Sequence, residues 1–184
     1  ALKLDEGTLA KLDATYAEFA VQADEASVEK AKRDTGGLDA IFGAPETVDT
    51  LCRDIVEHYE NNRADVLAGK ALIVAYSRPM AMKIYYKLLE LRPQWKDMLG
   101  VVMTMSNQDP EEWFDVCGGA KHKKEMERRF KDDSDSLKIA IVVDMWLTGF
   151  DVPSLSTMYV FKPMKGYNLM QAIARVNRVC KGKE

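Results

Sequence analysis

Apolar residues follow two different rhythms along the chain. Leu9, Leu12, Tyr16 and Phe19 recur at helical spacing among charged residues. A break follows at Asp34-Thr35-Gly36-Gly37, and a second helical pattern begins at Pro45, with Val48, Leu51, Ile55 and Tyr59 on one face. Proline suits a first helical turn, whose N–H groups have no intrahelical acceptor. Gly69 closes this region. From Lys70 onward the pattern becomes strand alternating with helix. Ala71–Ala75 is a short, continuously apolar run, as in a strand buried on both faces. Met82, Tyr85, Tyr86 and Leu89 then predict a core-facing helix over 79–91. Leu99–Met105 and Leu137–Val143 read as further strands, separated by a charged helix over 121–131. A short turn or helix leads to a fourth strand, Ser156–Phe161, and residues 168–180 form the last helix.

Strands spaced by helices of this length predict an α/β fold, a parallel sheet flanked by helices. The expected organisation is a helical connector or appendage over 1–68 and an α/β domain over 69–184. No internal repeat and no low-complexity tract interrupts it.

Composition narrows the classes. A chain with 47% apolar and 30% charged residues can build a globular core. The net charge of −3 gives no bulk attraction to nucleic acid, so any such contact must come from a local patch. Cys52, Cys117 and Cys180 form no CxxC pair and read as reduced thiols of a cytoplasmic protein. No apolar run is long enough for a membrane span, and no metal site is expected. The start at Ala1 and the charged end after Cys180 read as a piece of a longer polypeptide.

Chemistry concentrates near the end. Setting Gln171 at zero and advancing about 100° per residue puts Arg175 at about +40° and Arg178 at about −20°. Leu169, Ile173, Val176 and Cys180 fall near the opposite side, the expected packing face, and Asn168 is a candidate N-cap. Two guanidiniums one turn apart suit an oxyanion such as a phosphoryl group. A solvated helix face whose arginines pair with carboxylates is the plainer account of that stretch alone. Upstream, Asp144 and the run Thr148-Gly149-Phe150-Asp151-Val152-Pro153 follow a buried strand. Ligand sites of open α/β sheets lie beyond the carboxyl ends of strands, and Asp144 and Asp151 are expected there.

These segments together resemble superfamily 2 helicases and translocases. Asp144 to Pro153 looks like motif V. Gln171-x-x-Ala174-Arg175-x-x-Arg178 looks like motif VI, with Ala174 where many relatives carry glycine. Ala71–Ala75 with Tyr76-Ser77-Arg78 looks like motif IV. The run from Leu147 to Val179, including Lys162-Pro163, is more specific. It resembles the R subunit of type I restriction–modification enzymes, in its second RecA-like domain. A weaker similarity extends upstream through Gly43-Ala44-Pro45-Glu46 and Arg92-Pro93-Gln94-Trp95.

The resemblance implies a RecA-like motor domain that supplies one half of an ATP site for translocation along double-stranded DNA before cleavage. On that basis Arg178 is the arginine finger, Arg175 contacts the γ-phosphate and Gln171 orients that end of the site. Gly149 and Asp151 face the nucleotide, while Thr148, Ser77 and Arg78 face nucleic acid. ATP and Mg2+ are then held mainly by the first RecA-like domain. The implied partners are that domain and the nuclease domain of the same polypeptide, double-stranded DNA, and the modification and specificity subunits. The implied setting is the prokaryotic cytoplasm.

No Walker A sequence is present. Gly69-Lys70 and Gly182-Lys183 both lack the upstream glycine and the following serine or threonine. No Asp-Glu-x-His box and no nuclease constellation is visible either, so this stretch is expected to be inactive alone. A non-catalytic RecA-like scaffold and the motor of another superfamily 2 translocase remain as alternatives. A dinucleotide-binding oxidoreductase is disfavoured, because no Gly-x-Gly-x-x-Gly follows a strand.

Weaker signals remain. Lys121, Lys123, Lys124, Arg128, Arg129 and Lys131 could meet DNA phosphate, although a solvated helix face is the plainer account. His58 and His122 read as surface residues. Trp95, Trp113 and Trp146 read as packing anchors. Asp132-Asp133-Ser134-Asp135 reads as a turn rather than a calcium loop.

Overall fold

A computed structural model describes residues 36–39, 42–62, 69–143, 145, 146, 150–162, 164, 170, 172–174 and 176. The expected first helix, with Leu9 to Phe19, lies outside the described residues, as does Cys180.

The elements are α1 (Pro45–Asn62), β1 (Lys70–Ala75), α2 (Arg78–Leu91), β2 (Leu99–Val102), α3 (Glu111–Cys117), α4 (Ala120–Lys131), β3 (Ile139–Val142) and β4 (Leu155–Phe161). The strands form one parallel sheet in the order β2-β3-β1-β4. This is the predicted α/β architecture, a parallel sheet between helices in the RecA-like manner.

β1 is buried at all six positions. Its side chains alternate between two cores, as the strand period requires. Ala71, Ile73 and Ala75 join Val101, Ile139 and Ile141 under α1 and α2. Leu72 and Val74 join Val102, Ala140 and Val142 under α4 and the chain leading to β4. Each fully buried Leu, Ile or Val contributes about 1.5–3 kcal/mol. The central strand is therefore a principal source of stability.

The chain travels from β1 past β3 to β2, then returns through β3 and past β1 to β4. Connections of one hand that travel in opposite directions must cross opposite faces of a sheet. Accordingly α2 lies over one face and α4 over the other.

α1 packs where its pattern predicts. Val48, Leu51, Ile55 and Tyr59 are all buried. Arg92, just beyond α2, holds Glu60 of α1 through two N–H···O bonds of 2.6 and 2.8 Å. Cys52 and Cys117 are free and buried. Burial pushes their thiols up to about 12 and about 11, so both stay protonated at neutral pH.

Several expectations need correction. The third strand is shorter than Leu137–Val143, because side chains take over the polar groups of Leu137. Its N–H is bound by the Asp135 carboxylate and its carbonyl by the Lys70 ammonium. The second strand ends at Val102, although Met103 stays buried. α3 matches no element in the sequence pattern, since it runs two turns and buries only Cys117. Tyr85 faces the core, but Tyr86 is 43% exposed, one residue around the helix. His122 is half-buried, and its Nε2 is enclosed without a hydrogen-bond partner, so it is not a simple surface residue.

Lys70 opens β1 fully buried. Its ammonium donates to the Leu137 carbonyl at 2.6 Å and the Arg129 carbonyl at 3.3 Å, and lies 5.3 Å from the centre of the Phe130 ring. Burial pulls its pKa down from 10.5 to about 8. Between about pH 8 and 10.5 the unfolded chain therefore holds more protons than the folded one, and stability should rise with pH across that window. Lys70→Met should abolish this rise, measured by urea unfolding at several pH values. It should also cost about 1–3 kcal/mol, because the Leu137 carbonyl loses its donor. Parallel stability–pH curves for the two proteins would refute the assignment.

Candidate functional site

In a parallel sheet the loops after every strand gather at the carboxyl edge. Here those loops are tied together by side chains. Ser77 follows β1 and caps α2, its hydroxyl oxygen accepting from the Met80 N–H at 3.3 Å. That leaves the hydroxyl proton to donate elsewhere. Arg78 begins α2 and reaches across to the loop after β2. One terminal nitrogen donates to the Thr104 carbonyl at 3.3 Å, and the other pairs with Asp109 at 3.2 Å.

Asp109 is the buried partner of this pair, with a side chain 7% exposed against 38% for Arg78. Its other carboxylate oxygen accepts the Ser106 N–H at 2.6 Å. One carboxylate thus closes its own loop and orients a guanidinium. Thr104 also points its hydroxyl at the Met145 sulfur, 4.0 Å away, which joins the loop after β3.

The edge is covered on its β4 side by Asp39, Phe42 and Gly43. Tyr76, just after β1, donates its hydroxyl to Asp39 at 2.8 Å, and burial with this contact pushes its pKa upward. The Phe42 ring meets Phe161 edge-on at 5.6 Å and Tyr76 at 6.3 Å. Gly43 permits the tight turn, since a Cβ there would stand 2.5 Å from the Asp39 carbonyl oxygen. Lys83 of α2 donates to the Gly43 carbonyl at 3.1 Å and completes the attachment.

Beyond β3 the chain crosses the second core. Trp146 stacks flat on Phe150, with centroids 4.2 Å apart at 4°, and both lie against Phe130. Trp146 has φ of +66°, a left-handed conformation unusual for a side chain of its size. Asp151 is exposed and borders a shallow hollow lined by Leu72, Phe130, Trp146, Phe150, Val152 and Leu155.

The predicted site residues therefore fall into three groups. Ser77 and Arg78 stand at the carboxyl edge, and Arg78 contacts the neighbouring loop. Asp151 lies beside the aromatic stack. Thr148, Gly149, Gln171, Arg175 and Arg178, together with Asp144, lie outside the described residues. In the last helix, Ala172 is buried and Val176 half-buried, whereas Met170 and Ile173 are 62% and 44% exposed. The expected burial of Ile173 is thus corrected. Burial among the described residues of that helix falls at Ala172 instead, which is 3% exposed. Sequence reasoning missed Asp109, because a lone aspartate in a Ser-Asn-Gln-Asp-Pro loop carries no signal of its distant partner.

Comparison with known proteins fits this architecture. Residues 92–184 match the family model for domain 3 of the type I restriction enzyme subunit R. The HindI type I restriction enzyme endonuclease subunit of Haemophilus influenzae is 41% identical over 178 residues, covering 93% of this chain. The MjaIXP type I restriction enzyme endonuclease subunit described from Methanocaldococcus jannaschii is 40% identical over 163 residues, covering 89%. The chain belongs to the R subunits of type I restriction enzymes. It spans 16% of the length of each of these two relatives, so it corresponds to one part of an R subunit. A fragment structure described as an HsdR subunit from Vibrio vulnificus YJ016 shares the fold. Its TM-score is 0.56 at 16% identity, over 73% of this chain and 24% of that one.

Within this R-subunit domain, the Arg78–Asp109 pair should be energetically coupled. Asp109→Ala should cost about 1–3 kcal/mol, since the Ser106 N–H loses its acceptor along with Arg78. Arg78→Ala should cost almost nothing more once Asp109 is gone. A double-mutant cycle by chemical unfolding measures this, and strict additivity of the two changes would exclude the coupling.

Proposed function

We propose that residues 69–184 form the second RecA-like domain of the R-subunit motor, with α1 packed on it as part of the connector. In this reading the domain supplies the arginine side of an ATP site that drives translocation along double-stranded DNA before cleavage. The observation that carries the proposal is the order of three segments on one parallel sheet in a chain of this family. Tyr76-Ser77-Arg78 follows β1, the Thr148–Pro153 run follows β3, and Gln171-x-x-Ala174-Arg175-x-x-Arg178 follows β4.

The described residues include no phosphate cradle. Gly69 leads into a strand rather than a helix, and the Lys70 ammonium is spent on the Leu137 and Arg129 carbonyls. This fits a division of labour in which ATP and Mg2+ are held mainly by the first RecA-like domain of the whole subunit. The donor set assigned to this side has the complementary chemistry. Arg175 and Arg178 offer permanently charged planar forks to phosphate oxygens, and Gln171 offers an amide beside them. Bound ATP supplies the phosphoryl group whose transfer drives the cycle. Arg178 then neutralises charge that develops on the transferring group, and Arg175 holds the phosphate. Asp151 and Gly149 face the nucleotide, while Thr148, Ser77 and Arg78 address the DNA backbone.

Closing the cleft between the two domains completes the site, and opening it releases product. That alternation converts hydrolysis into stepping. The nuclease domain, the modification and specificity subunits, and DNA are the corresponding partners in the prokaryotic cytoplasm. This stretch alone, without the first motor domain, should not hydrolyse ATP.

The test is Arg178→Ala in the full-length R subunit, assayed for DNA-stimulated ATPase in the assembled enzyme. Losing a trans-acting arginine should lower turnover by about 10³-fold or more while unfolding behaviour stays the same. Wild-type turnover in a folded Arg178→Ala enzyme would overturn the proposal.

A further inference from the structure

Among the described residues, the basic side chains with neither an ion pair nor a hydrogen bond are Lys96, Lys121, Lys123 and Lys124. The last three stand together near the start of α4. The rest of that helix behaves differently. Arg128 pairs with Glu125 at 2.7 Å, Lys131 with Glu127 at 2.6 Å, and Arg129 with Asp135 at 3.0 Å. The cations left without partners are therefore confined to one end.

That end is electrostatically the wrong one for lysine. The N-terminal turn carries the positive pole of the helix dipole, so each cation there is disfavoured by a few tenths of a kcal/mol or more. No acidic residue lies in the first turn, and Gly119 offers no capping side chain. His122 adds no charge at neutral pH, since burial and the nearby Arg129 hold its pKa below the ordinary value. A chain with a net charge of −3 thus concentrates unneutralised positive charge at one place.

Topology fixes where that place is. α4 connects the end of β2 to the start of β3, so it runs against the strands. Its C-terminal turn lies at the amino edge, where the Arg129 carbonyl meets Lys70 at the start of β1. At 1.5 Å per residue, Lys121 in the first turn stands about 12 Å from Arg129, toward the carboxyl edge. That is the edge bearing Ser77 and Arg78.

We infer that Lys121, Lys123 and Lys124 extend the carboxyl edge into a docking surface for the phosphodiester backbone of duplex DNA. The inference rests on the motor reading above and names a further DNA-facing surface for it. Lysine suits the task, since a mobile point charge can follow a phosphate backbone without reading its sequence. No base specificity is expected from these side chains.

The test uses the full-length R subunit and a fluorescent duplex of unrelated sequence, with anisotropy recorded across salt concentrations. The triple variant Lys121→Gln, Lys123→Gln, Lys124→Gln should bind more weakly. Its slope of log affinity against log salt should be shallower by about 2–3, close to one for each phosphate that is no longer neutralised. Lys121→Gln with Lys124→Gln, both at exposed positions, should lower the slope by about 2 with no effect on folding. An unchanged slope in both variants would overturn the surface while leaving the motor reading intact. An unmodified subunit that fails to bind duplex even at low salt would overturn both. Variants that keep the DNA slope but no longer assemble with the modification subunit would reassign the patch to a protein partner and refute the inference.

Discussion

Everything else in this domain depends on the burial of β1 from both sides. A strand whose two faces are both apolar cannot end at water on either, so it demands a neighbour on each side and a helical layer above and below. β3 and β4 supply the neighbours. α1 and α2 supply one layer, and α4 with the Trp146–Phe150 stack supplies the other. Once β1 is central, the reversal in chain direction has to occur beside it. The crevice that such a reversal opens lies at the carboxyl edge. The placement of Ser77 and Arg78 is thus a consequence of six apolar-environment positions far more than of their own chemistry.

Lys70 is the exception that the central strand tolerates. A buried ammonium is costly unless its protons find acceptors. Here it meets the Leu137 carbonyl just before β3 and the Arg129 carbonyl at the end of α4, which it shares with the Asp132 N–H. A cation at a helix C-terminus is favourably placed against the helix dipole. The same residue therefore ends α4, sets where β3 begins and anchors the amino edge. This also explains why a Gly-Lys pair in the sequence has no bearing on phosphate binding. The ammonium points into the molecule, and the glycine precedes a strand.

Much of the fold was legible because its signals are periodic. The face of α1 could be read from Val48, Leu51, Ile55 and Tyr59, and all four are buried. The four strands could be placed from strand-length runs alternating with helical patterns, with errors only at their ends, as at Leu137, where side chains replace ladder contacts. α3 was not legible, since two turns with one buried residue leave no period to detect. His122 and Tyr86 were misplaced because burial of a single side chain depends on the neighbouring element rather than on local sequence. The candidate site divides in the same way. Motif spacing located Ser77, Arg78 and Asp151 on particular loops. It could not reveal that Asp109, in a different loop, fixes the Arg78 guanidinium. A partner thirty-one residues away is selected by the fold and leaves no spacing rule behind.

The carboxyl edge holds its cations in two distinct ways, and the difference bears on what each can do. Arg78 is locked by a buried carboxylate and a carbonyl, so little side-chain freedom remains to be lost when a ligand arrives. Such a group suits a contact that must keep one geometry through a cycle. The lysines of α4 have no such restraint, and each would surrender rotamer freedom on binding. Their contribution to affinity is correspondingly modest and electrostatic, and it weakens as salt rises. On the proposed motor reading this asymmetry is useful. A few fixed contacts can define the register at each step, while mobile charges keep the duplex near the surface without resisting its movement. On the proposed reading, therefore, pinning Lys121 or Lys124 with a new carboxylate would hinder translocation for the same reason that freeing Arg78 would.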